Sequence, residues 1–216
     1  MANEYAGSGE LSNWNSIYNI KDEDKPPVYD DWLVKHMDLL EASRQTDVLD
    51  LGCGNGCDSL FLSERGFDVI SCDWSEEALL RVRQHVPLAD TRAVNLLEPL
   101  PFADNSAIVI IADLSLHYFS WEATIAIINE LQRVLQSDGY LLCRVNSIKD
   151  VNFGAGTGKE IEAGYYEHEG HRKRFFDKDR LEQLFQQWKL TYIEEAVLHR
   201  YGKPKFLWEL AVTNMK

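Results

Sequence analysis

The run Val48-Leu-Asp-Leu-Gly-Cys-Gly-Asn-Gly56 constrains this chain more than any other stretch. Four strand-like residues, Val48 to Leu51, lead straight into glycines at alternate positions, Gly52, Gly54 and Gly56. A helix-compatible run, Ser59 to Arg65, follows. Glycine takes positive φ without a Cβ clash and lets a ligand touch the backbone. A strand that ends in such a loop and re-enters as a helix offers backbone N–H groups and a positive helix end to a polar ligand. The spacing is not that of a dinucleotide fingerprint, Gly-x-Gly-x-x-Gly. The third glycine falls one residue early, and Cys57 stands where it would be. No Gly-Lys-Ser/Thr follows, so a phosphate-binding P-loop is excluded as well.

The downstream segments add context. Phe67-Asp-Val-Ile-Ser-Cys-Asp73 reads as a second strand ending in an acid. That acid lies about 20 residues beyond the loop, where nucleoside-binding α/β folds put a ribose-binding carboxylate. Ser75-Glu-Glu-Ala also reads as a helix cap and first turn, so Asp73 can serve the helix, the ribose or both. Ala107 to Ala112 is a fully apolar strand, as a central parallel strand covered on both faces should be. Around it stand Arg92 to Ser106 with Leu100-Pro-Phe-Ala-Asp-Asn-Ser106, Asp113-Leu-Ser-Leu-His-Tyr-Phe119, and Glu130-Leu-Gln-Arg-Val-Leu-Gln-Ser-Asp-Gly-Tyr-Leu-Leu142.

Taken in order over residues 46–145, these segments resemble the class I S-adenosylmethionine (SAM)-dependent methyltransferases, whose first motif is acidic-x-Gly-x-Gly-x-Gly. The resemblance implies a Rossmann-like α/β fold, a doubly wound, mostly parallel sheet of seven strands in the order 3-2-1-4-5-7-6 with strand 7 antiparallel. It implies SAM as cofactor and S-adenosylhomocysteine as product. Asp50, Gly52, Cys53 and Gly54 would then border the methionine part, Asp73 the ribose hydroxyls, and Trp74 the adenine face. Asn95 and Leu96 would meet the adenine edge, and Asp113, at the start of the family's post-strand segment, would join the cofactor contacts. Two positions depart from the pattern. Asn95 stands where Asp is usual, and Ser137-Asp138-Gly139 replaces a Pro-x-Gly-Gly-like turn that survives through Gly139.

At 216 residues and 45% apolar, the chain suits a single domain. Within domain 1–216, residues 1–45 form an N-terminal cap segment, 46–145 the cofactor half and 146–216 the substrate-side half. Helices are expected at 29–42, 57–65, 75–84, 121–135 and 177–187. Strands are expected at 46–51, 67–72, 91–94, 107–112, 139–145, 190–198 and 206–213. Helix 121–135 has the clearest stripe, Ile125, Ile128, Leu131, Val134 and Leu135. Gly154-Ala-Gly-Thr-Gly-Lys159 reads as a loop. No apolar run of about 20 residues is present and Met1 to Gly7 lacks signal-peptide features, so a cytoplasmic protein without membrane partners is expected. The four cysteines form no Cys-x-x-Cys pair and read as small buried residues. His168 and His171, beside Glu167 and Glu169, fall short of a metal site, and no metal is expected.

Net charge is −13, unevenly spread: residues 1–143 hold 24 acidic and 9 basic side chains, residues 144–216 hold 11 and 13. An acidic bulk repels nucleic acid, which is bound by phosphate neutralisation. The basic clusters Arg172-Lys-Arg174 and Arg200-Tyr-Gly-Lys-Pro-Lys205 are either solvated surface or an anion-binding patch. Acceptor contacts are expected from Tyr18, Arg144, Arg172 and Arg174. The aromatic residues Trp14, Tyr18 and Trp32 either close over a sulfonium or pack in the core. His117 or Asp113 is the candidate general base, with a purely structural role equally open for His117. The family's chemistry is in-line displacement of the methyl group from the sulfonium, here onto a small-molecule acceptor. No Asn/Asp-Pro-Pro-Tyr or Pro-Cys pair points to base methylation. The layout of Phe175 to Phe185 and Lys205 to Leu210 is similar, more weakly, to tellurite-resistance-type methyltransferases. A SAM-binding sensor or partner subunit without turnover is the alternative, and Cys57 argues against an NAD-linked oxidoreductase.

Overall fold

The computed structural model describes residues 8–18, with side chains from residue 11, together with 25–199 and 202–216. Met1 to Gly7, residues 19–24, Arg200 and Tyr201 therefore lie outside the described residues. In chain order, helix α1 (Ser8–Tyr18) precedes a helical stretch that opens as 3-10 turn (Trp32–His36), continues as α2 (Met37–Leu40) and ends at Ser43. The cofactor half follows as β1 (Val48–Leu51), α3 (Cys57–Glu64), β2 (Val69–Asp73), α4 (Glu76–His85), β3 (Asp90–Ala93), β4 (Ala107–Asp113), α5 (Trp121–Val134) and β5 (Leu135–Asn146). Three short strands come next, β6 (Lys159–Glu162), β7 (Tyr165–His168) and β8 (His171–Arg174). The chain closes with α6 (Lys178–Leu184), β9 (Trp188–Leu198) and β10 (Lys205–Asn214).

The main sheet has seven strands in the order β3-β2-β1-β4-β5-β10-β9. β1 to β5 are mutually parallel and β10 runs antiparallel to both β5 and β9, which is the expected order with β9 and β10 as sixth and seventh strands. Alternation along each strand sends side chains to opposite faces. Leu49, Ile110, Ala112 and Cys143 pack with Ile127, Ile128 and Leu131 of α5 on one face. Val48, Val109, Ile111 and Leu142 pack with Phe61 and Leu62 of α3 and with Trp32, Leu33 and Leu40 on the other. Covering both faces explains why β4 carries no polar residue before Asp113.

Helix α5 starts where Ser120 accepts a hydrogen bond from the Ala123 N–H at 3.3 Å, a cap worth about 1 kcal/mol. Its buried stripe is Thr124, Ile127, Ile128, Leu131 and Val134, while Ile125, expected in the stripe, is exposed. At the β5 turn Asp138 takes a left-handed φ of 60°, a conformation open to Asp, so the missing glycine is tolerated.

The expected Gly154–Lys159 loop is turn up to Gly158, but between it and α6, where no element was expected, the chain forms a three-stranded antiparallel sheet, β6-β7-β8. Glu169 and Gly170, with φ of 50° and 79°, join β7 to β8 across the His168–His171 pair. Two consecutive positive φ values match the right-handed twist of a tight hairpin. The expected helix at 29–42 begins only at Trp32 and is broken into 3-10 and α segments.

Candidate functional site

A cleft of about 560 Å³ opens at the carboxyl ends of β1, β2 and β4, where open α/β sheets bind ligands. Its wall joins the glycine loop to Asp113 and Leu114, and reaches across to His171, Arg172 and Lys173 on β8. Helix α1 covers it. Ser75 Oγ donates to Asn15 Oδ1 at 2.7 Å, Asn13 Nδ2 meets His171 Nδ1 at 3.3 Å, and Trp14 packs edge-on against Tyr118 at 4.7 Å.

The loop is shaped by close approach. Gly52, Gly54 and Gly56 all have positive φ, 75°, 54° and 86°. A Cβ on Gly52 would lie 2.4 Å from Ser115 Cβ, and one on Gly54 would lie 2.8 Å from the Tyr18 hydroxyl. The N–H groups of Gly52 and Cys53 both donate to the Cys72 carbonyl, at 2.8 and 2.9 Å, which ties the loop to the end of β2. The Gly54 N–H donates to Asp73 Oδ2 at 2.9 Å, and the Ser75 N–H donates to Oδ1 at 2.8 Å. Asp73 thus holds both the loop and the start of α4, while each carboxylate oxygen keeps further accepting capacity toward the cleft.

Acids gather on this side. Asp50, Asp58, Asp73 and Asp113 all line the cleft. Asp50 is fully enclosed and accepts from Ser59 Oγ at 2.6 Å; burial, then repulsion from Asp113 and Asp73, pushes its carboxyl up to about 7 against the opposing pull of that hydrogen bond. Asp58 accepts from Trp32 Nε1 at 2.9 Å, and burial with repulsion from Asp113 and Asp50 drives it well above the usual carboxylate range. Asp73 is raised by burial too, against the pull of its N–H donors. Mutually raised carboxyls of this kind are eased by a cationic ligand.

Trp74, Asn95 and Leu96 also line the cleft. Asn95 Oδ1 accepts from the Leu97 N–H at 3.1 Å and its Nδ2 donates to Glu98 Oε1 at 3.4 Å, so the amide closes a local turn and keeps one further N–H to offer. Leu114 holds a left-handed φ of 51° beside Asp113, a costly conformation for a bulky residue. Its N–H donates to the Arg144 carbonyl at 2.9 Å, which helps to hold it there.

Of the expected acceptor contacts, only Tyr18 and Arg172 line the cleft. Arg144 corrects the expectation. Its guanidinium donates to Asp113 at 2.6 and 2.7 Å and to Asp30 at 2.9 and 3.1 Å, lies 4.7 Å from the Trp32 ring, and is only 2% exposed. Arg174 is a second correction. It pairs with Glu162, donates to the Phe119 and Ala163 carbonyls at 3.2 Å, and lies 4.8 Å from the Tyr165 ring. Both arginines organise the walls from behind.

His117, 2% exposed, is likewise not part of the cleft wall; burial, then the nearby charges of Lys205 and Lys173, push its pKa well below 6.5. Its Nδ1 is buried without a partner among the described residues. Asp113 does border the cleft, but both of its oxygens receive Arg144, an arrangement suited to a fixed anion rather than a proton acceptor. Sequence reasoning passed over Asp58, Ser115, His171 and Lys173 as wall residues. The signal for the last two was the His171-to-Arg174 strand after a Glu-Gly turn. Among the described residues no cluster of three or more His, Cys, Asp or Glu is placed to hold a metal ion, and no helix is long and apolar enough to cross a membrane.

Residues 48–139 match the family model described as "Methyltransferase domain". The chain is similar to an uncharacterized methyltransferase of Synechocystis sp., 33% identical over 103 residues that make up 48% of each protein. It is also similar to a tRNA N(3)-cytidine methyltransferase of Gallus gallus, 28% identical over 173 residues, 74% of this chain and 46% of that protein. The chain spans less than half the length of the first curated relatives it matches, between 29% and 48%. Among solved structures it shares its fold with a 1,6-didemethyltoxoflavin-N1-methyltransferase of Burkholderia thailandensis with bound S-adenosylhomocysteine. That match has a TM-score of 0.67 at 15% identity and covers 97% of this chain and 87% of that one.

Proposed function

We propose that this chain, whose residues 48–139 match a methyltransferase-domain model, transfers a methyl group from SAM to a small-molecule acceptor held beneath α1. The observation that carries this reading is the cleft itself. A glycine cradle with no room for side chains, a carboxylate at the end of β2 and a cluster of raised acids stand on one side; aromatic rings and cationic groups stand on the other.

These residues fit SAM. Gly52, Cys53 and Gly54 would border its methionine part, Asp73 its ribose, and Trp74, Asn95 and Leu96 its adenine. Its ammonium and sulfonium charges suit the acids Asp50, Asp58 and Asp113. When bound, SAM supplies an electrophilic methyl group open to in-line attack. The chain's own contribution is to hold an acceptor in line and exclude water, effects that can supply much of a rate acceleration. Trp14, Tyr118, Phe119 and Tyr165 form the apolar wall for that purpose. Tyr165 is fixed by its hydroxyl, which donates to the Tyr118 carbonyl at 3.0 Å. With His117 behind the wall and both oxygens of Asp113 paired to Arg144, the arrangement favours acceptors that arrive as nucleophiles without needing a buried base.

One relative named above acts on tRNA, and its similarity spans most of this chain. The net charge of −13 argues for a small acceptor instead, because phosphate backbones would meet an acidic surface. The test is incubation with methyl-labelled SAM and a metabolite extract. Label in the small-molecule fraction is the expected result; label confined to added RNA, falling steeply with salt, would overturn the acceptor class.

A further inference from the structure

Lys173 sits in the cleft wall, half-buried, at the middle of β8. Among the described residues its ammonium makes no hydrogen bond or ion pair, whereas its neighbours in sequence are engaged: Arg172 donates to Glu167 at 2.9 Å and Arg174 pairs with Glu162. The acid whose charge acts on it is Asp150. Asp150 is fully buried and already committed, accepting from Lys205 Nζ at 2.8 Å and from the Phe206 N–H at 3.1 Å. Lys205 holds that carboxylate, Lys173 feels its charge without pairing to it, and the charges of both lysines reach the buried His117 ring. Asn146, whose Oδ1 accepts from Lys205 Nζ at 2.6 Å, has its Nδ2 buried without a hydrogen-bond partner among the described residues.

A half-buried cation without a counter-ion costs stability, because desolvation is not offset by a partner. Burial lowers the Lys173 pKa, only partly countered by Asp150. A ligand anion would supply the missing partner, and the rings of Trp14, Tyr118, Phe119 and Tyr165 lining the same cleft would take a flat apolar body.

We propose that Lys173 anchors the acceptor, and that the acceptor class is a small anion, a carboxylate on a flat apolar body. This rests on the methyltransferase reading and adds to it the substrate class. The anion role expected of Arg144 and Arg174 passes to the lysine between two engaged arginines on β8.

The test uses the full chain loaded with S-adenosylhomocysteine, benzoate as probe and benzamide as its uncharged counterpart, with binding followed by calorimetry. Benzoate should bind at least ~10-fold tighter than benzamide, the margin of one charge-assisted hydrogen bond. Lys173→Met should reduce that ratio to about 1 while S-adenosylhomocysteine affinity stays at the wild-type value, and Lys173→Arg should keep the preference. A ratio near 1 in the wild type, no saturable benzoate binding, or a preference that survives Lys173→Met overturns the proposal. Failure of S-adenosylhomocysteine itself to bind would be seen before benzoate is added, and would strike the cofactor reading instead.

Discussion

Replacing Arg144 with Met separates a structural arginine from a substrate contact. Arg144 bridges Asp113 and Asp30 with four hydrogen bonds between 2.6 and 3.1 Å, and Asp58 also feels its charge. Met preserves much of the apolar stem but leaves two carboxylates without their cation. Breaking one side of a buried pair costs about 3–5 kcal/mol. Side-chain exposure of 24% at Asp30 and 15% at Asp113 admits some water, so the low end, about 3 kcal/mol, is the working figure. At roughly 2–4 °C per kcal/mol for a domain of this size, the melting temperature should fall by about 10 °C. Adding Asp113→Asn to Arg144→Met should recover part of that loss, since one uncompensated charge is removed. The assay is urea and thermal unfolding of the three proteins, with S-adenosylhomocysteine affinity measured on each. If Arg144→Met melts within about 2 °C of wild type, the buried-bridge account is wrong and an acceptor-contact role returns.

Gly54→Val should abolish SAM binding while circular dichroism stays native, because its side chain would strike the Tyr18 hydroxyl and fill the cradle; calorimetry showing near-normal affinity would refute this. Asp73→Ala should weaken SAM and S-adenosylhomocysteine alike by about one to two decades. It should also lower the melting temperature, because the Gly54 and Ser75 N–H groups lose their acceptor; an unchanged affinity with a lowered melting temperature would leave Asp73 as a cap alone. Asp50, raised by burial to about 7, stabilises the ligand-free fold fully below its unfolded value near 4, and that contribution is lost as pH rises through 7. Relative to Asp50→Asn, wild type should therefore become less stable between about pH 4 and 7, and SAM affinity should rise across pH 6 to 8; a flat difference in both would refute the assignment.

Much of this site was legible because its signals are local. Alternating glycines at Gly52, Gly54 and Gly56 and an acid at each strand end follow from backbone rules that act within a few residues. The β10 reversal followed from the family likeness, and β9 and β10 fall within two residues of the expected strands. What the sequence hid depends on distant partners. Arg144 meets Asp30, 114 positions away, and nothing local distinguishes such an arginine from one that faces a ligand. The β6-β7-β8 sheet was missed for a different reason. Its edge strands, Lys159-Glu-Ile-Glu162 and His171-Arg-Lys-Arg174, are almost entirely charged, so alternation of apolar residues is absent, and only the Glu169-Gly170 turn announced a hairpin. Missing that sheet obscured Lys173, because a residue in a solvated loop gives no reason to expect half-burial.

The central claim is that the cleft at the ends of β1, β2 and β4 binds SAM. Calorimetric titration of the full chain with SAM, S-adenosylhomocysteine and NAD tests it most directly. Saturable one-to-one binding of the first two, lost in Gly54→Val, with no heat from NAD, is the predicted result. Binding of NAD without SAM, or SAM binding untouched by Gly54→Val in a folded protein, would contradict it.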